Sequence, residues 1–174
     1  MMAATLLSLF CAATPSVGLG LGQATERLEV TGAHETRRLL TSSLALGLEY
    51  PLADGALEGL STLAVGLVFD QGQVPLQLDQ GLRARWQRGW FGVFGGVGAG
   101  LTLDLSDPAL SSAHLSLPVG LTLGPVEVLW APRVQVPLAH HEEDVFGGVR
   151  RHGAALGLEL LSLQVRLRID RLRF

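Results

Sequence analysis

Apolar side chains recur at every second position over most of this chain. Near its end, Leu163, Val165, Leu167 and Ile169 alternate with Gln164, Arg166, Arg168 and Asp170. Such a period sends every aliphatic group to one face of a strand and every charge to the other. The same alternation predicts strands over Leu44–Tyr50, Leu63–Phe69, Val74–Trp86, Phe91–Leu105, Leu115–Leu123, Val126–Gln135 and Val145–Leu160, with the closing run Leu163–Phe174 as the eighth. Pro51–Gly59, Gln71–Gln73, Gln87–Gly89, Ser106–Ala113, Gly124-Pro125, Ala139–Asp144 and Leu161-Ser162 are the expected connections. They carry the Gly, Pro and polar residues that end strands. Pro118 and Pro132 cannot donate to a ladder, so each requires a bulge or a local break.

The two faces differ in kind. One is an aliphatic row repeated in every strand. The other collects the acids Glu49, Asp70, Asp79, Asp104, Glu127, Glu159 and Asp170 and the bases Arg83, Arg85, Arg133, Arg151, Arg166 and Arg168. Nearly balanced charge on one face and almost none on the other predicts an all-β fold: a closed antiparallel up-and-down transmembrane barrel of eight strands, its lumen filled by Arg–carboxylate pairs. Arg166 and Arg168 are expected to find partners among Glu159, Glu127 and Asp104. Eight strands leave room only for side chains, so the lumen reads as plugged. Gly92, Gly96, Gly98 and Gly100 on one face of the fourth run suggest a narrow interior. A helical span over Gly89–Leu103 is too short and too rich in Gly.

Composition sharpens this reading. Hydrophobic residues make up 48% of the chain and charged ones 17%, with a mean hydropathy of +0.35. That is little charge with which to coat a soluble globule. A net charge of −3 offers no basic footprint, so no nucleic-acid partner is expected. All 13 cationic side chains are Arg, which pairs bidentately with carboxylates in confined places. Tyr50, Phe69, Trp86, Trp90, Phe91, Phe146 and Phe174 fall near strand ends, as an interfacial girdle requires; Phe94 and Trp130 do not.

The expected organisation is a signal peptide over residues 1–24, an N-terminal polar segment over 25–41 and a barrel over 42–174. Cleavage after Ala13 or after Ala24 fits the small residues there, the later site being preferred. Ser16–Val30 is the place where a further strand would be found if one had been miscounted. Removal of the leader would take Cys11, the only cysteine.

With its strand pattern, the GLEYPL segment Gly47–Leu52 and the terminal Phe174, the chain resembles small bacterial outer-membrane β-barrel proteins of the OmpA-transmembrane or OmpX type over about Leu44–Phe174. The resemblance implies an outer-membrane location, insertion by the barrel-assembly machinery, outer-membrane lipid as surroundings and both termini on the periplasmic side. It implies no cofactor and leaves the oligomeric state open. The strand assignment makes periplasmic connections such as Ala139–Asp144 longer than several external ones, the reverse of that family's habit.

Candidate chemistry is thin. His114, Ser116 and Glu127 could be written as a Ser-His-Glu set, similar to outer-membrane lipid A deacylases with their H-x-S strand, but Leu117 stands where those enzymes have Asn and parity turns the residues inward. His140–Asp144 brings metal-ligand types together without a spaced metal signature. The expectation is therefore a non-catalytic barrel with a structural or surface-interaction role. The alternatives are a barrel enzyme acting on lipid A, a passive pore, and a soluble lipocalin-like carrier, which needs an apolar interior and a charged exterior.

Overall fold

The computed structural model describes residues 13–30, 33–53, 56–69, 71–108, 111–138, 141–145, 148–154 and 156–169; within these, positions 30, 34, 53, 141–145 and 148–152 are described by backbone alone. Five barrel strands are continuous: β1 (Thr14–Val30), β2 (Ala33–Ala53), β3 (Leu57–Val68), β4 (Pro75–Arg88) and β5 (Phe91–Asp104). The sixth consists of β6 (Ser112–Ser116) and β7 (Val119–Leu123), and the seventh of β8 (Val126–Trp130), β9 (Arg133–Pro137) and β10 (His141–Val145). β11 (Gly148–Ala154), β12 (Gly157–Glu159) and β13 (Ser162–Arg168) form the eighth. Each strand pairs antiparallel with the next, and β13 returns to β1 from Ser16↔Arg168 to Gly22↔Ser162, closing an eight-stranded barrel. Closure leaves no open edge around the ring.

Two strand assignments differ from the expectation, and their effects on the count cancel. Among the described residues, barrel strands begin at Thr14, ahead of position 42: residues 14–24 lie in β1, residues 25–30 complete it, and 33–41 open β2. Leu161-Ser162 is not a turn. β12 pairs with β9 and β13 with β8, both antiparallel, so the chain keeps its direction through this point. With neither Gly nor Asn, Leu161-Ser162 lacks the left-handed residue that tight hairpins use. Gly124, at φ 60°, and Gly89, at φ 62°, supply it at the β7–β8 and β4–β5 turns.

The parity of the strands is as the alternation requires. Leu44, Leu46 and Leu48 are 54%, 56% and 40% exposed on the outside of β2, while Ala45 and Glu49 between them are 3% and 2% exposed. Equivalent outward rows run along β3 (Leu63, Val65, Leu67), β7 (Val119, Leu121, Leu123) and β13 (Leu163, Val165). An apolar belt of this extent would be a large sticky patch in water. Phe94 breaks the aromatic rule because it points inward, at 5% exposure.

Starting the barrel one strand earlier reverses the sense of every connection. The rim that carries both ends of the barrel, where Ser16 faces Arg168, also carries the short β2–β3, β4–β5 and β7–β8 links. The longer links, 69–74 and 105–111, lie on the opposite rim. The expected length anomaly therefore disappears, and Ala139–Asp144 is no loop as a whole, since His141–Val145 is β10.

Pro118 and Pro132 produce local breaks rather than bulges, and a matching break at Leu160-Leu161 continues the line across the last three barrel strands. Freed backbone groups find partners across it. Leu117 N–H donates to Pro132 O at 3.0 Å, Gly96 N–H to Pro118 O at 2.8 Å and Ala131 N–H to Ser162 O at 2.9 Å. The indole N–H of Trp130 donates to Leu160 O at 2.7 Å, which explains an aromatic placed away from the girdle. Beyond Thr41↔Val68, where β3 ends, β2 and β1 continue to Ala33↔Val30, and β11 and β10 pair alongside them. Four strands thus form a sheet extending past the ring on the rim opposite the chain ends.

Candidate functional site in the barrel lumen

The inward face carries charge that water does not reach. Removing a charge from water costs several kcal/mol, roughly, unless an opposite charge and hydrogen bonds replace the solvent. Five strands meet this demand at one point. Arg83, on β4, places Nη2 2.5 Å from Glu49 of β2, Nε 2.8 Å from Glu58 of β3 and Nη1 3.0 Å from Glu127 of β8. Arg85 lies 3.0 Å from Glu58 and 3.6 Å from Glu49, and also pairs with Glu127. Arg168, from β13, lies 3.3 Å from Glu49 and 3.6 Å from Glu127. Three carboxylates and three guanidiniums thus form one neutral network. The Phe94 ring supports it from β5, with its centroid 4.9 Å from the Arg83 guanidinium carbon and 5.6 Å from that of Arg85.

The network sits toward the rim with the chain ends, because Glu49 is near the end of β2, Glu127 near the start of β8 and Arg168 at the end of β13. Space for it comes from β5: a Cβ on Gly96 would lie 2.9 Å from both Cα and Cβ of Arg83. Farther along the lumen, Asp79 Oδ1 is 2.5 Å from Nε2 of His114, and its Oδ2 accepts from Gln77 at 2.7 Å. Arg133 pairs with Glu159. A cavity of about 70 Å³ lies nearer the other rim, lined in part by Gly20, Thr25, Thr41, Asp104 and Gln135. That is room for about two water molecules.

The expected lumen residues thus separate into groups. Glu49, Arg83, Arg85, Glu127 and Arg168 meet; Asp79 meets His114 instead of an arginine; Glu159 meets Arg133. Asp104 is no partner for Arg166 or Arg168. It is 6% exposed and accepts from the backbone N–H of Ser106 at 2.8 Å and Asp107 at 2.9 Å, shaping the β5–β6 link. Arg166 reaches no carboxylate among the described residues and donates to Gln164 at 2.8 Å and to Thr62 at 3.4 Å. The side chain of Arg151, like Asp70, His140, Phe146, Asp170 and Phe174, lies outside the described residues. Glu58 was missed because Pro51–Gly59 read as a loop. Extending the inward parity of Ala64 and Thr62 back along β3 reaches it.

The Ser-His-Glu set is not assembled. His114 faces Gln135 in register while Glu127 faces Thr122. Gln135 and Glu127 are eight residues apart on one barrel strand, about 26 Å at 3.3 Å per residue. Glu127 is moreover 0% exposed and engaged by Arg83 and Arg85. No group of three metal-ligating side chains occurs among the described residues.

No family model matches the chain, and no curated protein matches it either. Among solved structures, the crystal structure of Neisserial surface protein A (NspA) is similar to it, with a TM-score of 0.50 and 12% identity over 90% of this chain and 99% of that one. At that identity the likeness is one of fold, an eight-stranded barrel.

Proposed function

We propose that this chain is a non-catalytic outer-membrane β-barrel with a structural or surface-interaction role and a lumen that does not conduct. The observation that carries the reading is the inside-out partition: aliphatic rows exposed around the ring and an ion-paired network within it. A soluble lipocalin-like carrier requires the opposite arrangement. The outward belt fits outer-membrane lipid, and the closed ring fits insertion by the barrel-assembly machinery. The similarity to a surface protein, NspA, supports a surface role.

In this reading the rim with the chain ends faces the periplasm, which places the short turns there. The four-stranded extension then stands on the outer side. Glu142 opposes Arg151, and Glu143 opposes Arg150, in its register, so the element available for contact is strongly charged. A leader ending at Ala13 leaves β1 whole, whereas one ending at Ala24 would remove the whole of the part that pairs with β13.

Cell fractionation with heat-modifiable gel mobility tests the location. An outer-membrane fraction and a compact, fast-running unheated form are expected, and recovery in the soluble fraction refutes the proposal. Planar-bilayer recordings test the lumen: the wild type is expected to be silent and the Arg83→Ala/Glu127→Ala double variant to conduct. Steady ohmic conductance by the wild type would make it a pore instead.

A further inference from the structure

The network toward the chain-end rim uses three arginines on three glutamates, and Arg166, two residues from Arg168 on β13, is left over. Arg83, Arg85 and Arg168 share Glu49, Glu58 and Glu127. Arg166 has no carboxylate partner among the described residues, although it is 5% exposed. Its Nε and Nη2 donate to the neutral Gln164 and Thr62, and its Nη1 is buried without a partner. A buried guanidinium without a counter-charge is among the costliest groups a protein can hold.

Arg166 lines a cavity of about 50 Å³ in the middle of the lumen, together with Thr62, Gln164, Ser116 and His114. His114 is 4% exposed, and its Nδ1 is a second buried polar atom without a partner. Asp79, the only carboxylate on this wall among the described residues, already receives His114 at 2.5 Å and Gln77 at 2.7 Å. Arg133, also on the wall, is committed to Glu159. The space holds a few water-sized particles, which suits a halide.

We infer that the lumen holds a monovalent halide site, with chloride bound by the Arg166 guanidinium beside Thr62, Gln164 and His114. The inference rests on the closed barrel and not on the proposed surface role. Bound chloride supplies the missing counter-charge and locks the middle of the lumen. A ligand that binds only the folded chain raises its apparent stability by RT ln(1 + [L]/Kd), a gain that grows with the logarithm of its concentration.

The test is thermal unfolding of the full chain folded in detergent micelles, followed by gel mobility in sodium chloride, sodium bromide or sodium gluconate at equal ionic strength. Chloride and bromide are expected to raise Tm by a few degrees over gluconate, the increment growing with the logarithm of halide concentration, and Arg166→Gln is expected to abolish the difference. Equal Tm in the three salts overturns the site, as does a halide effect that persists in the variant. Should the variant fail to fold, crystals of the wild type soaked in bromide decide the matter. An anomalous peak within hydrogen-bond distance of Arg166 Nη1 supports the site, and ordered water alone there removes it.

Discussion

Arg83 Nη2 lies 2.5 Å from Oε2 of Glu49, and both side chains are 2% exposed. The residues sit on β4 and β2 with β3 between them, so no sheet register makes them neighbours. They meet because curvature of a small barrel brings inward side chains from non-adjacent strands together. Replacing Arg83 with Met is expected to leave Glu49, Glu58 and Glu127 short of a cation and to cost about 3–5 kcal/mol. Urea unfolding in detergent measures this. Arg27→Met, at the exposed pair with Glu29, should change stability by less than about 1 kcal/mol; equal effects at the two sites contradict the buried network.

The outward belt makes a depth-dependent prediction. Leu46 is 56% exposed near the middle of the β2 row, and Leu52 is 43% exposed near its end. Leu46→Arg should cost about 2–4 kcal/mol in lipid vesicles and Leu52→Arg about 0–1 kcal/mol. Folding titrations into vesicles distinguish them, and a reversed order would place the membrane elsewhere on the barrel.

Gly100 adjoins the Asp79–His114 contact. A Cβ there would lie 2.7 Å from His114 Nε2 and 2.5 Å from Leu78 O. Because backbone as well as side chain must give way, Gly100→Ala is expected to destabilise the barrel by about 1–3 kcal/mol. A matching unfolding midpoint for variant and wild type would show that β5 can shift.

β1 closes the ring between β2 and β13, so its start has a measurable consequence. Mass spectrometry of the membrane form is expected to find a mature chain that begins at Thr14. Deleting residues 14–24 should abolish the fast-running unheated band, since the ring then lacks part of its closing ladder. A mature N-terminus after Ala24 with normal gel mobility would contradict the observed pairing.

Ser116→Ala probes the enzymatic alternative. With Ser116 and His114 far along the strand from Glu127, the substitution should leave the acyl pattern of lipid A unchanged in an overexpressing strain. A deacylation product that appears with the wild type and vanishes in the variant would restore the catalytic reading.

Much of the lumen was legible before any coordinates. Glu49, Arg83, Arg85, Glu127 and Arg168 follow from parity alone, since an alternating strand has one inward face. β1 also shows period two in Val17, Leu19 and Leu21 against Gly18, Gly20 and Gly22, but an uncharged run of small and apolar residues equally fits the tail of a leader. The eighth barrel strand was divided in two because a break and a turn interrupt alternation in the same way.

By itself, the sequence determined the side on which each residue stands, because strand geometry is local and a single period sets it. Only the tertiary structure decided which inward charges share a partner, that Asp104 serves a connection, and that Arg166 is left without a carboxylate. Those outcomes depend on closure and stagger of the ring, which bring together residues from strands far apart in the chain. Local alternation carries no information about that distance.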